Sequence, residues 1–502
     1  MHLVLPVTHA WPLHTVDGTR ALERQAQAAL PPHALMARAG AAVARLAVAV
    51  APHARRVHIA AGAGNNGGDG LIAAIHLRAA GKDVRVSLHG DASRLPPDAA
   101  DALAQAVRHG VPIAMNPSTF IADSNEAPLI VDALLGIGTR GAPRDPVAAV
   151  IATINASAAR VLAIDTPSGL DADTGQAAGA VVRADHTLSL LSLKPGLFTA
   201  SGRDAAGCIW FDDLGLVATS VATHDATGDT PSAWLAGPYA AATQRRHAQH
   251  KGSFGDVAVI GGAPGMTGAA LLAARAAHAA GAGRVYVALL DDAAPQFDAV
   301  RPELMFRRSW WQGPEAALAA ATVVCGCGGA DAVASALPRL LAQVPRLVLD
   351  ADALNAIAAD ASLQAALADR AARDRQTVLT PHPLEAARLL GTDTAGVQAD
   401  RLLAARRLAD RFGCAVVLKG SGTIVAAPDG IPSINPTGNA ALASAGTGDV
   451  LAGWIGGLWA SSGGDAFDTA QRAVFLHGLA ADHATATPLR AADLIEAMHA
   501  AR

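Results

Sequence analysis

The stretch Gly62-Ala63-Gly64-Asn65-Asn66-Gly67-Gly68-Asp69-Gly70 follows an apolar run at 57–61 and precedes a segment at 71–78 with the composition of a helix. A glycine-rich turn between a buried strand and a helix is typical of the first βα unit of a parallel sheet. Such glycines let a phosphate group approach the free amides at the helix start. The GxGxxG pattern alone is equally compatible with a tight strand-to-helix turn.

The polar residues of this loop depart from an ordinary dinucleotide-binding fingerprint. Asn65, Asn66 and Asp69 stand inside it, whereas an ordinary dinucleotide loop avoids a carboxylate beside the pyrophosphate. These side chains instead indicate a cation or a reacting polar group nearby.

Outward from the loop, short apolar runs alternate with Ala-rich helical stretches along the whole chain. Continuous apolar strands separated by helices predict parallel sheets covered on both faces. We therefore predict two three-layer α/β domains, a Rossmann-like one followed by a second one, with the last run forming a strand and a hairpin. The predicted strand runs are 57–62, 84–90, 128–136, 160–169, 186–196, 256–262, 284–290, 321–328, 346–355, 376–383 and 415–430.

The length of 502 residues favours two large domains. A segment near 217–235 is rich in Thr, Ser, Ala and Gly and lacks dense Val, Ile and Leu clusters. We predict domains at 1–220 and 236–502, joined by a linker at 221–235. Because the loop motifs of the halves differ, the chain is expected to be a fusion rather than a duplication.

The composition excludes several classes of function. With 39 basic and 43 acidic residues, the net charge of -4 gives no general attraction to nucleic acid. The four cysteines form no CxxC pair, which favours a reducing compartment, and Cys325 and Cys327 are expected to pack in a buried strand. No signal-peptide pattern and no long uninterrupted apolar stretch is found. We expect a soluble cytoplasmic protein without a membrane partner.

Polar residues at the predicted strand ends of the first half converge on one crevice. The oxygen ligands Asn66, Asp132 and Ser168 suit a hard cation rather than zinc. Asp165 follows four apolar residues, and its partial desolvation suits proton transfer near neutral pH. The alternative for each aspartate alone is a helix N-cap.

In the second half, Gly446-Thr447-Gly448-Asp449 opens a predicted helix. Its amides can face a transferring phosphoryl group while Asp449 accepts a proton from the attacking hydroxyl. The small-residue loop at 419–423 could hold nucleotide phosphates, and His382 and Glu385 follow another strand. The alternatives are an N-cap aspartate and an ordinary loop histidine, and no Walker loop occurs.

These motifs together resemble the bifunctional NAD(P)HX repair enzymes, in which an NAD(P)HX epimerase domain is fused to an ADP-dependent dehydratase of the ribokinase-like superfamily. The resemblance covers almost the whole chain. It rests on the segments at 36–40, 62–70, 132–141, 165–171, 251–262, 265–277, 350–355, 380–389, 419–423 and 435–453.

The resemblance implies that the substrate is NADH or NADPH hydrated at C6 of the nicotinamide ring. The first domain would interconvert the R and S forms. The second would use ADP to phosphorylate the hydroxyl of the S form and eliminate phosphate, releasing AMP. We expect a homo-oligomer with small-molecule partners only.

The resemblance also implies site residues. In the epimerase domain, Asn66, Asp132 and Ser168 would hold K⁺. The substrate contacts there would be Asn65, Asn66, Gly67, Gly68, Asp69, Gly136, Ile137, Gly138, Thr139, Arg140, Gly141, Ala142 and Asp165, with Asp165 near the reacting ring.

In the dehydratase domain, Asp449 would be catalytic and Mg²⁺ would accompany the phosphates. The hydrate would contact Ala270, Gly328, His382 and Asp449. The nucleotide would contact Lys419, Gly420, Ser421, Gly422, Thr423 and Gly448.

Two segments depart from the pattern of the family. Many relatives have a Gly-Pro-Gly-Leu-Gly type loop where this chain has 326–330 as Gly-Cys-Gly-Gly-Ala, so the register of Gly328 is open. The substrate contact near 265–273 is either Ala269 or a neighbour, with Ala270 preferred.

Three other functions compete with repair. A ribokinase-like vitamin or sugar kinase with an accessory N-terminal domain would form a stable phosphorylated product. A non-catalytic first domain that binds protein or RNA would be favoured if Asn66, Asp132 and Asp165 were replaced, and all three are present. An oxidoreductase would need a catalytic set for hydride transfer, and no such set accompanies the GxGxxG pattern.

Overall fold

The structure is a computed structural model that describes residues 1–117, 128–216, 230–239, 245–485 and 488–501. The chain divides into two compact units, Met1–Leu235 and Ala236–Arg502. Residues 221–229 of the predicted linker lie outside the described residues, and its last three residues form a strand.

The first unit alternates strands and helices through most of its length. Its strands are β1 (His2–Leu3), β2 (Trp11–Leu13), β3 (Arg56–Gly62), β4 (Asp83–His89), β5 (Ile113–Met115), β6 (Leu129–Ala133), β7 (Arg160–Ile164), β8 (His186–Leu190), β9 (Cys208–Asp212) and β10 (Ala233–Leu235). Its helices are α1 (Val16–Ala29), α2 (Ala34–Val50), α3 (Asn65–Ala79), α4 (Pro97–Arg108), α5 (Val147–Ala156) and α6 (Gly202–Ala205).

The sheet of the first unit has the order β1-β9-β8-β7-β6-β3-β4-β5 and is parallel except at β1. The chain runs outward from β3 to β5 and then returns to the other side of β3 with β6. Such a switch in strand order opens a crevice at the carboxyl ends of the strands. The register places Ala60 beside Asp132, and Asp132 beside Ala163. The ends of β3, β6 and β7 are therefore neighbours.

Helices cover both faces of this sheet. Ile59 and Val131 belong to one buried apolar cluster, with residues of α2, α3 and α4. Ala60 and Ile130, which point to the opposite face, belong to another cluster with residues of α5. Outside the sheet, β10 pairs antiparallel with β2.

The second unit repeats the alternation with more helices. Its strands are β11 (Asp256–Gly261), β12 (Arg284–Leu289), β13 (Met305–Phe306), β14 (Ala321–Cys325), β15 (Arg346–Leu349), β16 (Gln376–Leu379), β17 (Ala415–Leu418), β18 (Ile424–Ala426) and β19 (Ser433–Ile434). Its helices are α7 (Thr267–Ala279), α8 (Glu315–Ala320), α9 (Leu337–Gln343), α10 (Asp352–Ala359), α11 (Ala361–Ala368), α12 (Pro383–Leu390), α13 (Thr394–Ala399), α14 (Arg401–Phe412), α15 (Thr447–Ser462), α16 (Ala466–Asp482) and α17 (Ala491–Ala500).

These strands lie in the order β13-β12-β11-β14-β15-β16-β17-β18-β19. The sheet is parallel up to β17 and continues as the antiparallel β17-β18-β19 segment. The strand order reverses between β11 and β14. Cys325, Leu349 and Leu379 lie in register at the ends of three adjacent strands. Residues that follow β14 to β17 therefore meet at one edge.

Helix α15 packs closely on α7. A Cβ on Gly453 would lie 2.0 Å from the Ala273 carbonyl oxygen, and a Cβ on Gly457 would lie 2.1 Å from that of Ala277. Since real Cβ atoms do not approach an oxygen so closely, only glycine permits this backbone-to-backbone contact.

The α/β fold class predicted from the sequence is confirmed. Each predicted strand run contains at least one strand, and the run at 415–430 contains the hairpin of β17 and β18. The strands that were not predicted are β1, β2, β5, β9, β10, β13 and β19, each two to five residues long.

Among the described residues, no single helix has the length and apolar character needed to span a membrane. Helices α1 and α2 taken together are long and apolar enough by length and composition alone, but the chain bends by 113° between them.

Candidate active sites

The glycine-rich loop of the first unit connects β3 to α3. A Cβ on Gly67 would lie 1.9 Å from the Gly62 carbonyl oxygen, so this glycine is required for packing the helix on the strand. Gly64 has open space around its Cβ position, and no side chain caps α3. The first amides of α3 can therefore receive an anion.

The three predicted cation ligands meet around the backbone of Leu135. Asn66 Nδ2 donates to the Leu135 carbonyl oxygen at 2.9 Å, and the Leu135 amide donates to Ser168 Oγ at 2.9 Å. Ser168 Oγ donates to the fully buried Asp132 at 2.6 Å. Asn66 Oδ1 is buried and has no hydrogen-bond partner among the described residues. The cluster thus offers one buried oxygen atom whose lone pairs are unused.

Burial disfavours the ionised form of Asp132. Burial raises the pKa of Asp132 to about 6, although hydrogen bonds from Ser168 and Leu134 act in the opposite direction. A cation beside Asp132 would stabilise its ionised form.

Asp165 follows β7 in the left-handed backbone region, with φ +65°. Its carboxylate forms an ion pair with the ammonium of Lys194, whose side chain is fully buried. The ammonium also donates to the carbonyl oxygens of Leu190 at 2.8 Å and Ser192 at 3.0 Å. Together with Ser189 Oγ at 3.4 Å, these acceptors hold the ammonium of Lys194 against Asp165.

The charge of this ion pair also affects the pKa of two further carboxylates, Asp69 and Glu23. Burial, followed by the charges of Asp165 and Glu23, holds the pKa of Asp69 well above its usual range. Burial and the charge of Asp165 also raise the pKa of Glu23, against a smaller effect of Lys194. Glu23 lies on α1, which is anchored one turn earlier by the buried contact of Thr19 with Ser192 at 2.7 Å.

The predicted substrate loop at 136–142 borders the same crevice. A Cβ on Gly136 would lie 3.2 Å from Asn66 Cβ, and Thr139 Oγ1 donates to the Gly136 carbonyl oxygen at 3.0 Å. Asn65, at the rim, is exposed. A cavity of about 710 Å³ adjoins the loop and is lined by Leu135, Thr139, Arg140, Gly141, Ala142, Pro143, Arg144, Asp145 and Val147.

In the second unit, hydrogen bonds of Thr447 fix the turn before α15. Gly446 adopts φ +88° at the N-cap, and Thr447 Oγ1 lies 2.9 Å from the carbonyl oxygens of both Leu442 and Ser444. His477 Nε2 lies 3.0 Å from the Thr447 carbonyl oxygen. Burial lowers the pKa of His477 to about 4, so its neutral ring donates this hydrogen bond.

Asp449 lies in the first turn of α15 beside Asp350 and Cys327. Ligand-type atoms of these three residues lie within 4.8 Å of one another. Burial, followed by the charge of Asp350, raises the pKa of Asp449 to about 6. Burial and both carboxylates hold the pKa of the Cys327 thiol well above its usual range. The cluster thus combines two carboxylates and a buried thiol at the start of α15.

Lys419 joins this cluster to the predicted nucleotide loop. Its Nζ donates to Asp350 at 2.7 Å, and a Cβ on Gly448 would lie 3.4 Å from Nζ. Burial opposes the charge of Lys419, but the carboxylates of Asp350 and Glu385 raise its pKa overall. The loop at 419–423 and the start of α15 are therefore adjacent, as the sequence predicted for a phosphate site.

Arg401 fixes the first residues of the nucleotide loop. Its guanidinium is buried and donates to the Lys419 carbonyl oxygen at 3.2 Å. Gly420 has φ +135°, and a Cβ there would lie 2.8 Å from Arg401. Ser421 is exposed, Gly422 has φ +62°, and Thr423 Oγ1 donates to the Gly420 carbonyl oxygen at 3.1 Å.

His382 caps α12 and is half-exposed at the same edge. Its Nδ1 accepts from the amides of Leu384 at 3.1 Å and Glu385 at 3.2 Å, which leaves the ring proton on Nε2. Nε2 lies 3.1 Å from the Glu385 carboxylate. Burial and the charge of Lys419 lower the pKa of His382, so the ring is a neutral, fixed donor.

The structure places the predicted substrate contact Ala270 in the core. Ala270 is fully buried in the packing between α7 and the sheet, so its side chain is not available to a ligand. Ala269, the alternative, is partly exposed, and its Cβ lies 2.9 Å from the Cβ position of Gly328. Gly328 has φ +60°, and its carbonyl oxygen accepts from the Ala263 amide at 2.7 Å.

Sequence reasoning missed four residues of the two sites. Asp350 directly follows β15, and Lys194 lies in the loop that follows β8; these positions after apolar strands were the signal that could have identified them. Cys327 was expected only to pack in a strand, but β14 ends at Cys325. No sequence pattern marked Glu23, because its position near Asp165 depends on how α1 packs against the rest of the first unit.

Two family models match this chain, one in each unit. A family model described as YjeF-related protein N-terminus matches residues 32–196, and one described as NAD(P)H-hydrate dehydratase matches 257–500. The bifunctional NAD(P)H-hydrate repair enzyme of Escherichia coli K12 is 38% identical over 482 residues, covering 93% of this chain and 89% of that protein. The bifunctional enzyme of Leishmania braziliensis is 40% identical, covering 89% and 84%.

Among solved structures, the ADP/ATP-dependent NAD(P)H-hydrate dehydratase of Bacillus subtilis, co-crystallised with ATP and Mg²⁺, is 31% identical. It covers 51% of this chain and 91% of its own, with a TM-score of 0.43. The identity and coverage of the full-length relatives decide the assignment. The chain belongs to the family of bifunctional NAD(P)H-hydrate repair enzymes.

Proposed function

We propose that the first unit interconverts the R and S forms of NADH and NADPH hydrated at C6, and that the second unit dehydrates the S form with ADP as phosphoryl donor. The observation that carries this proposal is the placement of Asp449. This carboxylate has a pKa of about 6 and stands in the first turn of α15, next to the Lys419 loop.

In the second unit, the C6 hydroxyl would attack the terminal phosphorus of ADP. Asp449 would take the hydroxyl proton, and the bond from phosphorus to the leaving AMP oxygen would break. The free amides at the start of α15 and the Lys419 ammonium would stabilise the charge on the phosphoryl group. Loss of phosphate from C6 and of a proton from C5 would then restore the double bond of the reduced nicotinamide.

Within this site, His382 and Gly328 would contact the hydrate, and the nucleotide would lie between 419–423 and Gly448. The neutral His382 ring offers a fixed Nε2 donor. Mg²⁺ would be held mainly by the nucleotide phosphates and water, as it commonly is in phosphoryl transfer.

In the first unit, the dinucleotide would lie along the loops at 65–69 and 136–142, with Asp165 beside the ring. Breaking and re-forming the bond at C6 requires proton transfer. The ion pair of Asp165 with Lys194 supplies an acceptor and a donor within one contact.

Asn66, Asp132 and Ser168 would hold K⁺ beside this site. The fit rests on the buried, unpartnered Asn66 Oδ1 and on a donor set made only of oxygen atoms. A K⁺ ion would compensate the charge of the buried Asp132. A homo-oligomer and a cytoplasmic location stay predictions.

The proposal is tested by incubating mixed R and S hydrates with Mg²⁺ and either ADP or ATP. We expect AMP, free phosphate and reduced-nicotinamide absorbance with ADP, loss of all three in Asp449→Ala, and no use of the R form in Asp165→Ala. A stable phosphorylated product would instead identify a kinase. Normal conversion of the R form by Asp165→Ala would refute the epimerase assignment.

The K⁺ site is tested by titrating K⁺ against the thermal stability of the chain and its Asn66→Ala variant. We expect K⁺ to stabilise the first unit of the unmodified chain and not that of the variant. Equal stabilisation of both proteins would place K⁺ elsewhere.

A further inference from the structure

The first unit has a further cavity at the carboxyl ends of β4 and β5. This β4–β5 cavity has a volume of about 540 Å³ and is lined by residues 89–92, 115–116 and 146–147. Val147 also lines the cavity of about 710 Å³ beside the loop at 136–142, so the two cavities are neighbours. None of the substrate contacts predicted from the sequence lines the β4–β5 cavity, which leaves it without an assigned role.

The turn after β4 forms one wall of this cavity and is fixed on both sides. Asn116 Oδ1 accepts from the Gly90 amide at 2.8 Å, and Asn116 Nδ2 donates to the Gly90 carbonyl oxygen at 3.0 Å. Gly90 adopts φ +119°, and a Cβ there would lie 2.8 Å from Ala63 Cβ. The wall is therefore pre-formed, and it packs against the glycine-rich loop.

The strand order places the β4–β5 cavity at one end of the proposed substrate. Along the carboxyl edge the strands follow the order β7, β6, β3 and β4. Asp165, after β7, is thus three strand spacings, or about 14 Å, from the turn after β4. An extended dinucleotide with its ring beside Asp165 and its pyrophosphate at the start of α3 brings its adenosine to the β4–β5 cavity.

Most of the cavity wall suits a flat purine ring. Met115 is 49% exposed, although it is a large apolar side chain, and it lines the cavity together with Pro146 and Val147. A thioether packs favourably against an aromatic ring. His89 is buried, and its Nε2 has no hydrogen-bond partner among the described residues. Burial lowers the pKa of His89, so its neutral ring retains unused hydrogen-bonding capacity at the wall.

Asp91 is the one charged side chain among the described residues that line the cavity. Its Oδ1 accepts from the Ser93 amide at 2.9 Å and from Ser93 Oγ at 2.6 Å. These hydrogen bonds lower the pKa of Asp91, which is ionised at neutral pH. Its Oδ2 receives no hydrogen bond from the described residues. A carboxylate beyond the second strand of a Rossmann-like unit is well placed to bind the hydroxyls of a ribose.

We propose that the β4–β5 cavity binds the adenosine of the hydrated dinucleotide, and that Asp91 makes the first unit prefer hydrated NADH over hydrated NADPH. This inference rests on the proposed epimerase function. The two substrates differ only in the 2′-phosphate of the adenosine ribose, and this phosphate would lie against the Asp91 carboxylate. Arg94 is exposed, and its effect on the pKa of Asp91 is smaller than that of Ser93.

The specificity is tested by measuring kcat/KM for epimerisation of both hydrates. We expect Asp91→Asn to lower the preference for hydrated NADH by about fivefold at low salt, because one charge pair at about 4 Å in water contributes roughly that factor. The difference should shrink as salt is added. Asp83→Asn is the matched control, since Asp83 is an exposed carboxylate at the amino end of the same strand, and it should leave the ratio unchanged.

Two results would overturn the assignment of Asp91. One is an unchanged ratio in Asp91→Asn. The other is a preference of the unmodified chain for hydrated NADPH that Arg94→Ala abolishes, because Arg94 would then bind the 2′-phosphate.

The purine contact is tested separately with Met115→Ala. We expect KM for epimerisation to rise several-fold for both hydrates alike, with kcat and the ratio between the hydrates unchanged. Val107→Ala, on the exposed face of α4, is the control and should leave KM as it is. A KM that does not change in Met115→Ala would place the purine elsewhere.

Binding is measured without turnover by hydrogen exchange, with ADP-ribose as the probe. This fragment of the substrate lacks the nicotinamide ring. We expect it to slow exchange in the turn at 89–92, and the 2′-phosphorylated fragment to do so more weakly unless Asp91 is replaced by Asn. If ADP-ribose leaves 89–92 unprotected while both hydrates are epimerised, the inference fails alone. If 89–92 is protected but neither hydrate is epimerised, the proposed function fails and the cavity assignment stands.

Discussion

Both units place a partly buried carboxylate at the carboxyl edge of a parallel sheet, but they compensate its charge differently. In the first unit, the fully buried Lys194 bonds directly to Asp165. In the second unit, Lys419 bonds to Asp350 instead, and Asp449 lies beside this pair, with ligand-type atoms of Asp449, Asp350 and Cys327 within 4.8 Å of one another. The position of the lysine therefore decides whether the same layered architecture yields an ion pair or a proton acceptor poised near neutral pH.

The largest expected effect follows removal of the proton acceptor. Asp449→Ala should lower the rate of dehydration by on the order of 10²- to 10⁴-fold, because general base catalysis contributes about that much. Epimerisation in the first unit should continue at its normal rate. Both rates are measured on the same preparation, with Asp410→Ala on the exposed face of α14 as a control. Equal loss of both activities would show that the units do not act separately.

Lys194→Met should remove the ion pair of the first unit. Truncation of one partner of a buried pair costs about 3–5 kcal/mol, because it leaves an uncompensated charge. We expect faster hydrogen exchange confined to the first unit and loss of epimerisation. The double variant Lys194→Met/Asp165→Asn should regain part of this stability. A double variant less stable than the single one would show that the lysine matters for packing rather than for charge.

The pH dependence should distinguish the two activities. Asp449 must be ionised to accept a proton, so kcat/KM for dehydration should fall about tenfold for each pH unit below the Asp449 pKa of about 6. The activity is thus present above this pKa and lost below it. Rates of both reactions are compared between about pH 5 and pH 8. A dehydration rate that stays constant through this range would exclude Asp449 as the base.

The smallest expected effect concerns α1, which contacts the site of the first unit. Thr19→Val removes the buried hydrogen bond to Ser192 and should destabilise α1 by about 1 kcal/mol. Hydrogen exchange of the α1 amides measures this change. Thr153→Val on the exposed face of α5 is the matched control, since its hydroxyl bonds only within its own helix. Equal effects of the two substitutions would argue against a role of α1 at the site.

The sequence predicted the strands that decide the fold, because most of their residues are apolar and buried. It also predicted that Asn66, Asp132 and Ser168 meet, since they follow or end adjacent parallel strands. The contact between Asp449 and Cys327 could not be predicted, because Gly326 breaks the strand where the apolar pattern continues. The substrate contact at Ala270 stays a prediction; its side chain is buried, whereas that of Ala269 is partly exposed, since neighbouring residues on a helix differ by about 100° in direction.

The glycine contacts between α7 and α15 have a consequence for how this enzyme can change by mutation. Any side chain at Gly453 or Gly457 would push α15 away from α7, and Asp449 at its first turn would move with it. Few substitutions are therefore expected to be tolerated on the face of α15 that contacts α7. The loop after β14 is constrained in the same way, because a Cβ on Gly326 would lie 1.8 Å from the Asp350 carbonyl oxygen. Substitutions at these glycines are therefore expected to shift Asp449 and Asp350 together with the backbone that carries them.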